Sequence, residues 1–229
     1  MGAIHFSLDR DLAVLFKTCL GIETFVETGT FDGNTIEMAR YLFPSVYSAE
    51  LSEHYHAKAQ ERFRRIDGVS LFHGPSPEFL RNHRERFISK SILFWLDAHW
   101  CAAEQTGGAD AQSPLLEELE AIGQLHPKSV ILIDDARLYL CPPSRPHKSA
   151  QWPDFHDVLQ RLMTLSPNHL LMILNDVMLF YPEAARPALK EYAFEHGADW
   201  LGISHNARTQ ERRMARKARR KKLLTFWRS

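Results

Sequence analysis

The chain has 229 residues, 45% of them apolar and 24% charged, with 28 basic and 28 acidic side chains. Those values exclude collagen, coiled coil and wholesale disorder, and a chain this long builds its core without disulfides or a structural metal. No apolar run approaches the roughly 18 residues of a membrane span, and Asp9-Arg10-Asp11 falls where a secretory leader would be apolar.

Cys19, Cys101 and Cys141 are odd in number and widely spaced, which reads as free thiols in a reducing cytoplasm. The balanced charge hides a division. Residues 208–229 hold ten basic side chains and one acid, a net +9, so residues 1–207 carry −9. The reading is one domain over 1–207 followed by a basic appendage at 208–229.

Along the chain, short apolar runs alternate with amphipathic stretches. Strands are predicted at Thr24–Glu27, Val46–Glu50, Val69–His73, Ile92–Asp97 and Val130–Ile133, with helices near Thr35–Tyr41, Glu53–Arg65, Pro77–Phe87 and Pro114–Leu125. Ser113 is the expected cap of the last helix, with Pro114 at its first position and Glu117 and Glu118 in its first turns. Such alternation predicts a doubly wound, Rossmann-like α/β sheet of five parallel strands with helices on both faces.

The rhythm then changes. His169–Leu174 and Val177–Tyr181 are separated only by Asn175-Asp176, too short for a parallel crossover, so an antiparallel hairpin is expected, followed by a helix at Glu183–Glu195. Two long connections, His99–Gln112 and Ala136–Trp152, are lid or binding-loop candidates, with a plain surface insertion as the other reading.

Four constellations carry chemistry. The first is Glu27-Thr-Gly29-Thr-Phe-Asp-Gly33, a strand running into a glycine turn and a helix. The two glycines let backbone pass close to a ligand, and Glu27 suits a ligand with positive charge. The second is Glu50, 23 residues further on at the end of the next strand, an acceptor for the two hydroxyls of a nucleoside ribose.

The third is Ser76 after the third strand, which either contacts a base edge or caps the next helix. The fourth joins Trp95-Leu-Asp97-Ala-His99-Trp100 with Asp134-Asp135-Ala-Arg137. If strands four and five are neighbours, Asp97, Asp134 and Asp135 converge, and a hard divalent cation would relieve their repulsion. In the alternative, Asp135 caps the next segment of chain and Asp97 alone is functional.

These residues resemble the class I S-adenosylmethionine-dependent methyltransferases, over about Glu23–Tyr181. Within that superfamily the fourth constellation is similar to the metal-dependent O-methyltransferases of catechol and macrolide-sugar type. The resemblance implies S-adenosylmethionine as cofactor, held by Glu27, Gly29, Gly33, Glu50, Ser76 and Asp97. It also implies Mg²⁺ on Asp97, Asp134 and Asp135, and methylation of a hydroxyl on a small acceptor such as a sugar, glycan or secondary metabolite.

The pattern departs from the catechol type at Ala98 and in the absence of a lysine base; Pro75 stands where an aspartate is common before the adenine contact, and the acidic pair is Asp134-Asp135 and not Asp-Asn. His99 is then the first choice of general base, with packing against Trp100 as its other reading; Glu104 and His147 come after it. Two rival classes remain. One is a nucleic-acid-associated protein or RNA methyltransferase addressed by residues 208–229, which would equally suit an anionic membrane surface to which a cytoplasmic protein binds peripherally. The other is a nicotinamide-dependent oxidoreductase, which lacks its G-x-G-x-x-G turn.

Overall fold

The computed structural model describes residues 8–101, 106–203, 205, 206 and 209. Glu104 and the basic segment from 208 onward, apart from Thr209, lie outside them. The chain divides into two compact units, 1–196 and 197–229. In the second unit the described residues 200–203 are helical.

Among the described residues the first unit holds seven strands: β1 Thr24–Thr28, β2 Ser45–Glu50, β3 Val69–His73, β4 Ile92–Leu96, β5 Val130–Ile133, β6 His169–Leu174 and β7 Val177–Pro182. They form one sheet in the order β3-β2-β1-β4-β5-β7-β6. β1 to β5 are parallel, while β7 runs antiparallel to both β5 and β6, so the hairpin is where the sequence places it. Asn175 and Asp176 form its turn at φ 51° and 69°, the left-handed conformation that a two-residue hairpin demands and that Asn and Asp tolerate.

The α-helices of this unit are α1 Arg10–Leu20, α2 Asn34–Ala39, α3 Glu53–Phe63, α4 Ser76–Ile88, α5 Leu115–Ile122, α6 Arg137–Leu140, α7 Phe155–Leu165 and α8 Arg186–His196. Successive strand residues point to opposite faces and seed two cores. Val26, Phe94, Leu96, Ile131 and Ile133 pack with Phe79, Leu80, Leu119, Val158 and Leu162 of α4, α5 and α7. Phe25, Leu93, Trp95, Val130 and Leu132 pack with Phe16, Ile36, Phe63 and Leu189 of α1, α2, α3 and α8. A sheet covered on both faces needs apolar residues in both registers, which is why β4 and β5 read as unbroken apolar runs.

Several local expectations are corrected. α1 and α7 belong to the fold although neither stretch is among the helices expected from the sequence. α1 is capped by Asp9, whose side chain accepts the backbone N–H of Asp11 and Leu12. α5 begins at Leu115, not Pro114, and Ser113 does not cap it; its Oγ lies 3.2 Å from the Tyr139 hydroxyl instead. β4 stops at Leu96, so Asp97 lies one residue beyond the strand. Residues 183–185 form a 3₁₀ turn before α8 begins at Arg186.

Candidate active site

The parallel strands end level with one another: Thr28 is opposite both Ala49 and Leu96, and Leu96 is opposite Ile133. Between β1 and β4 the strand order reverses, and at such a switch point the connections diverge and leave a crevice at the carboxyl edge. The loop after each strand is tied to the end of its neighbour. Gly29 N–H donates to Ala49 O (2.9 Å), Asp97 N–H to Thr28 O (2.9 Å) and Asp134 N–H to Leu96 O (3.1 Å).

The glycine turn is built around close approach. Gly29 has φ +88°, and a Cβ there would lie 2.3 Å from the backbone oxygen of Asp97. Gly33, at φ +75°, precedes α2, and a Cβ on it would meet the Phe63 ring at 2.8 Å. Both Glu50 carboxylate oxygens are engaged by backbone, accepting N–H of Phe31 and of Ser52, each at 2.8 Å. Phe31 has φ +47°, so Glu50 also braces a strained turn.

Glu27 is buried at the end of β1 and accepts a hydrogen bond from Ser48 (2.6 Å), whose hydroxyl is 2.7 Å from that of Thr30. Burial pushes its carboxyl up to about 8; Ser48 opposes the rise, and the neighbouring Asp97 and Glu50 carboxylates add to it. Three acids thus stand near one another around a tight glycine turn at the carboxyl edge of the sheet.

Ser76 does not cap α4. It is the first helical residue, preceded by Pro75, and it lies beside the carboxyl of Glu118 on α5. Glu118 lies in the first turn of α5, as the sequence places it, but as a buried residue of the site that the sequence analysis does not single out. It is 2% exposed, and its Oε1 has no hydrogen-bond partner among the described residues. Burial raises its carboxyl to about 7, partly offset by Ser76, Thr28 and nearby His99. A signal for its burial is present: Leu115, Glu118, Leu119 and Ile122 repeat at helical spacing on the buried face.

These two acids set a pH dependence. Both have folded values above the 4.5 of an ordinary Glu, so their stabilising contribution is complete below that pH and is lost as pH rises toward 8. His56 and His169, lowered by burial, act in the opposite sense. The contrast therefore lies in variants: Glu27→Gln and Glu118→Gln should match the wild type near pH 5 and exceed it at pH 8, on the order of several kcal/mol for Glu27. Calorimetric unfolding across that range checks this, and parallel curves for wild type and variants would contradict it.

The carboxylates of the fourth constellation do not come together as a ligand set. Asp97 and Asp135 meet the His99 ring from two sides, with Nδ1 3.5 Å from Asp97 Oδ1 and Nε2 2.9 Å from Asp135 Oδ2. The other Asp135 oxygen accepts from Arg137 Nη1 at 2.6 Å. Burial disfavours ionisation of Asp135, but His99 and Arg137 outweigh it and hold the carboxyl at about 2. Asp134 is wholly buried.

Among the described residues no group of three or more His, Cys, Asp or Glu side chains could hold a metal ion. The expected Mg²⁺ site on Asp97, Asp134 and Asp135 does not fit this geometry, because an imidazole and a guanidinium already use the Asp135 oxygens. Nor does Asp135 cap α6 with its side chain; Ala136 stands at the cap.

The two long connections fold onto each other beside this centre. Gln112 is buried and its Oε1 accepts Lys148 N–H (2.7 Å) and the Trp152 indole N–H (3.1 Å), while Lys148 Nζ reaches Ala109 O (3.0 Å). Trp152 packs against His99 and Tyr139, and His147 lies edge-on to Trp100 and Trp152. His99 thus packs against Trp152 of the second loop.

No protein-family model matches the chain, and no curated protein sequence matches it. Solved structures do. A Staphylococcus aureus protein assigned as a caffeoyl-CoA O-methyltransferase has TM-score 0.55 at 15% identity, covering 76% of this chain and 83% of its own. An O-methyltransferase from Bacillus cereus, solved with SAH, has TM-score 0.52 at 16% identity over 75% of this chain and 79% of its own. A methyltransferase from Streptococcus mutans, also with SAH, has TM-score 0.50 at 12% identity over 76% and 98%. The chain shares the Rossmann-like α/β fold of these structures. Among the described residues no helix is long and apolar enough to cross a membrane.

Proposed function

We propose that the chain is an S-adenosylmethionine-dependent O-methyltransferase acting on a hydroxyl of a small acceptor. One observation carries the reading: buried Glu27, with Asp97 and Glu50 near it, surrounds a Gly29 turn that leaves no room for a Cβ, at the switch point of the sheet. S-adenosylmethionine, when bound, supplies an electrophilic methyl on a sulfonium and brings a second cation, its ammonium, which suits these acids. Glu27 would hold the ammonium, Glu50 the ribose hydroxyls and Ser76 the base edge, with Gly29 and Gly33 giving the clearance.

His99 is the general base in this reading. Because Asp135 is ionised and can only accept, His99 Nε2 carries the proton and donates, which leaves Nδ1 as the proton-accepting nitrogen on the side of Asp97. An acceptor hydroxyl would pass its proton to Nδ1 as its oxygen attacks the methyl. Trp100, His147 and Trp152 would flank an acceptor whose rings present an apolar face and whose rim presents hydroxyls. No step is assigned to Mg²⁺.

Calorimetry with S-adenosylmethionine, SAH and NAD tests the cofactor. Expected are micromolar-range binding of the first two, proton release on binding below pH 8 as Glu27 ionises against the ammonium, and no binding of NAD. Binding of NAD alone would overturn the reading. The basic segment 208–229 is proposed as an address for an anionic surface and has no part in the chemistry. Its deletion should leave cofactor affinity unchanged while removing salt-sensitive binding to anionic vesicles or RNA.

A further inference from the structure

Asp176 sits at the second position of the β6–β7 turn, at φ +69°. Its backbone oxygen accepts Ala136 N–H at 2.7 Å, one carboxylate oxygen accepts Arg137 N–H at 2.8 Å, and the other meets the Arg137 guanidinium. The same Nη1 donates to Asp135, and Asp135 holds His99. An unbroken chain of charged contacts therefore runs from the hairpin turn to the imidazole. Asp135 and Asp176 have side chains 8% and 3% exposed, whereas Arg137 is 47% exposed.

We infer that Arg137 is the resident cation of this site: clamped between Asp135 and Asp176, it takes the neutralising role of a divalent metal and positions His99. Two buried carboxylates this close repel unless a positive group stands between them, and the Arg137 guanidinium supplies one through a single nitrogen, Nη1, shared by both. Asp135 has φ +52°, a conformation that costs a non-glycine residue energy and persists only where contacts enforce it. Arg137 on one oxygen leaves the other to face His99, which is what selects the Nε2–H tautomer. Arg137 is a positioning residue, because it acts through Asp135.

The base role of His99 rests on the methyltransferase reading; the charge arrangement does not. The test accordingly uses full-length protein without turnover. Mn²⁺ is titrated and followed by electron paramagnetic resonance, and ¹⁵N-histidine spectra, assigned with His99→Gln, report the His99 tautomer. Wild type and Asp135→Asn should show the same absence of tight Mn²⁺ binding. Wild type should show the Nε2–H form.

Arg137→Met and Asp176→Asn should both lose the single-tautomer signature, and Arg137→Met should bind Mn²⁺ more tightly than wild type, about tenfold or more for the loss of one charged partner. Arg137→Lys should restore the charge and with it much of the tautomer preference, since a single nitrogen makes both carboxylate contacts. Stoichiometric Mn²⁺ binding to wild type that disappears in Asp135→Asn would overturn the inference. So would an unchanged His99 tautomer in Arg137→Met, which should remain folded since the side chain is half exposed. If these signals behave as expected while no methyl transfer is ever found, the reaction assignment fails and the cation assignment stands.

Discussion

Gly29→Val is expected to abolish cofactor binding and to destabilise the fold by about 3 kcal/mol or more. A Cβ at this position would stand 2.3 Å from the Asp97 oxygen, 2.7 Å from its carbonyl carbon and 3.1 Å from Ala98 Cα. Every atom it meets is backbone, so no rotamer change relieves the clash, and φ +88° strains any side chain in addition. The only escape is movement of the β4 loop, which carries Asp97 and His99. Gly29→Ala should therefore fail in the same direction, by a smaller margin. Urea unfolding and calorimetric titration measure the two effects. Wild-type affinity in a folded Gly29→Ala would mean that the cofactor does not lie over this turn.

His99→Ala should lower methyl transfer by about 10²–10⁴-fold, the usual contribution of a positioned proton acceptor, with cofactor affinity nearly unchanged. Asp135→Asn should lose a comparable factor. An amide can turn its NH₂ toward Nε2, which reverses the hydrogen bond and places the proton on the wrong nitrogen. Because Asp135 stays ionised down to about 2, it keeps accepting from Nε2 across the working pH range, so an acid limb of the rate does not arise from protonation of Asp135. The assay needs an acceptor, found by screening hydroxylated small molecules with labelled cofactor. Rates within threefold of wild type in His99→Ala would remove it as the base, without bearing on the cofactor contacts proposed for Glu27 and Glu50.

Local rules account for the part of this structure that is legible in the sequence. Five apolar runs separated by helical spacing specify the parallel sheet, and the two-residue Asn175-Asp176 spacer specifies the hairpin, since chain geometry leaves that connection no other form. Glu27, Gly29, Glu50, Asp97 and Asp135 all fall at the expected carboxyl edge, because residues that end parallel strands share that edge.

Long-range packing settles what meets what there. Asp97 and Asp135 are 38 residues apart in the chain and both touch His99, so their meeting at one ring depends on the β4–β5 register. In the sequence Arg137 is an ordinary neighbour of two acids; only the hairpin brings Asp176 against it, 39 residues further on. Glu118 carries a helix-face signal yet reads as a first-turn acid, and only the packing of α5 against the start of α4 shows it buried beside Ser76. Spacing along the chain fixes direction and edge. Which charge neutralises which is a long-range outcome of strand order and side-chain packing, and no local pattern encodes it.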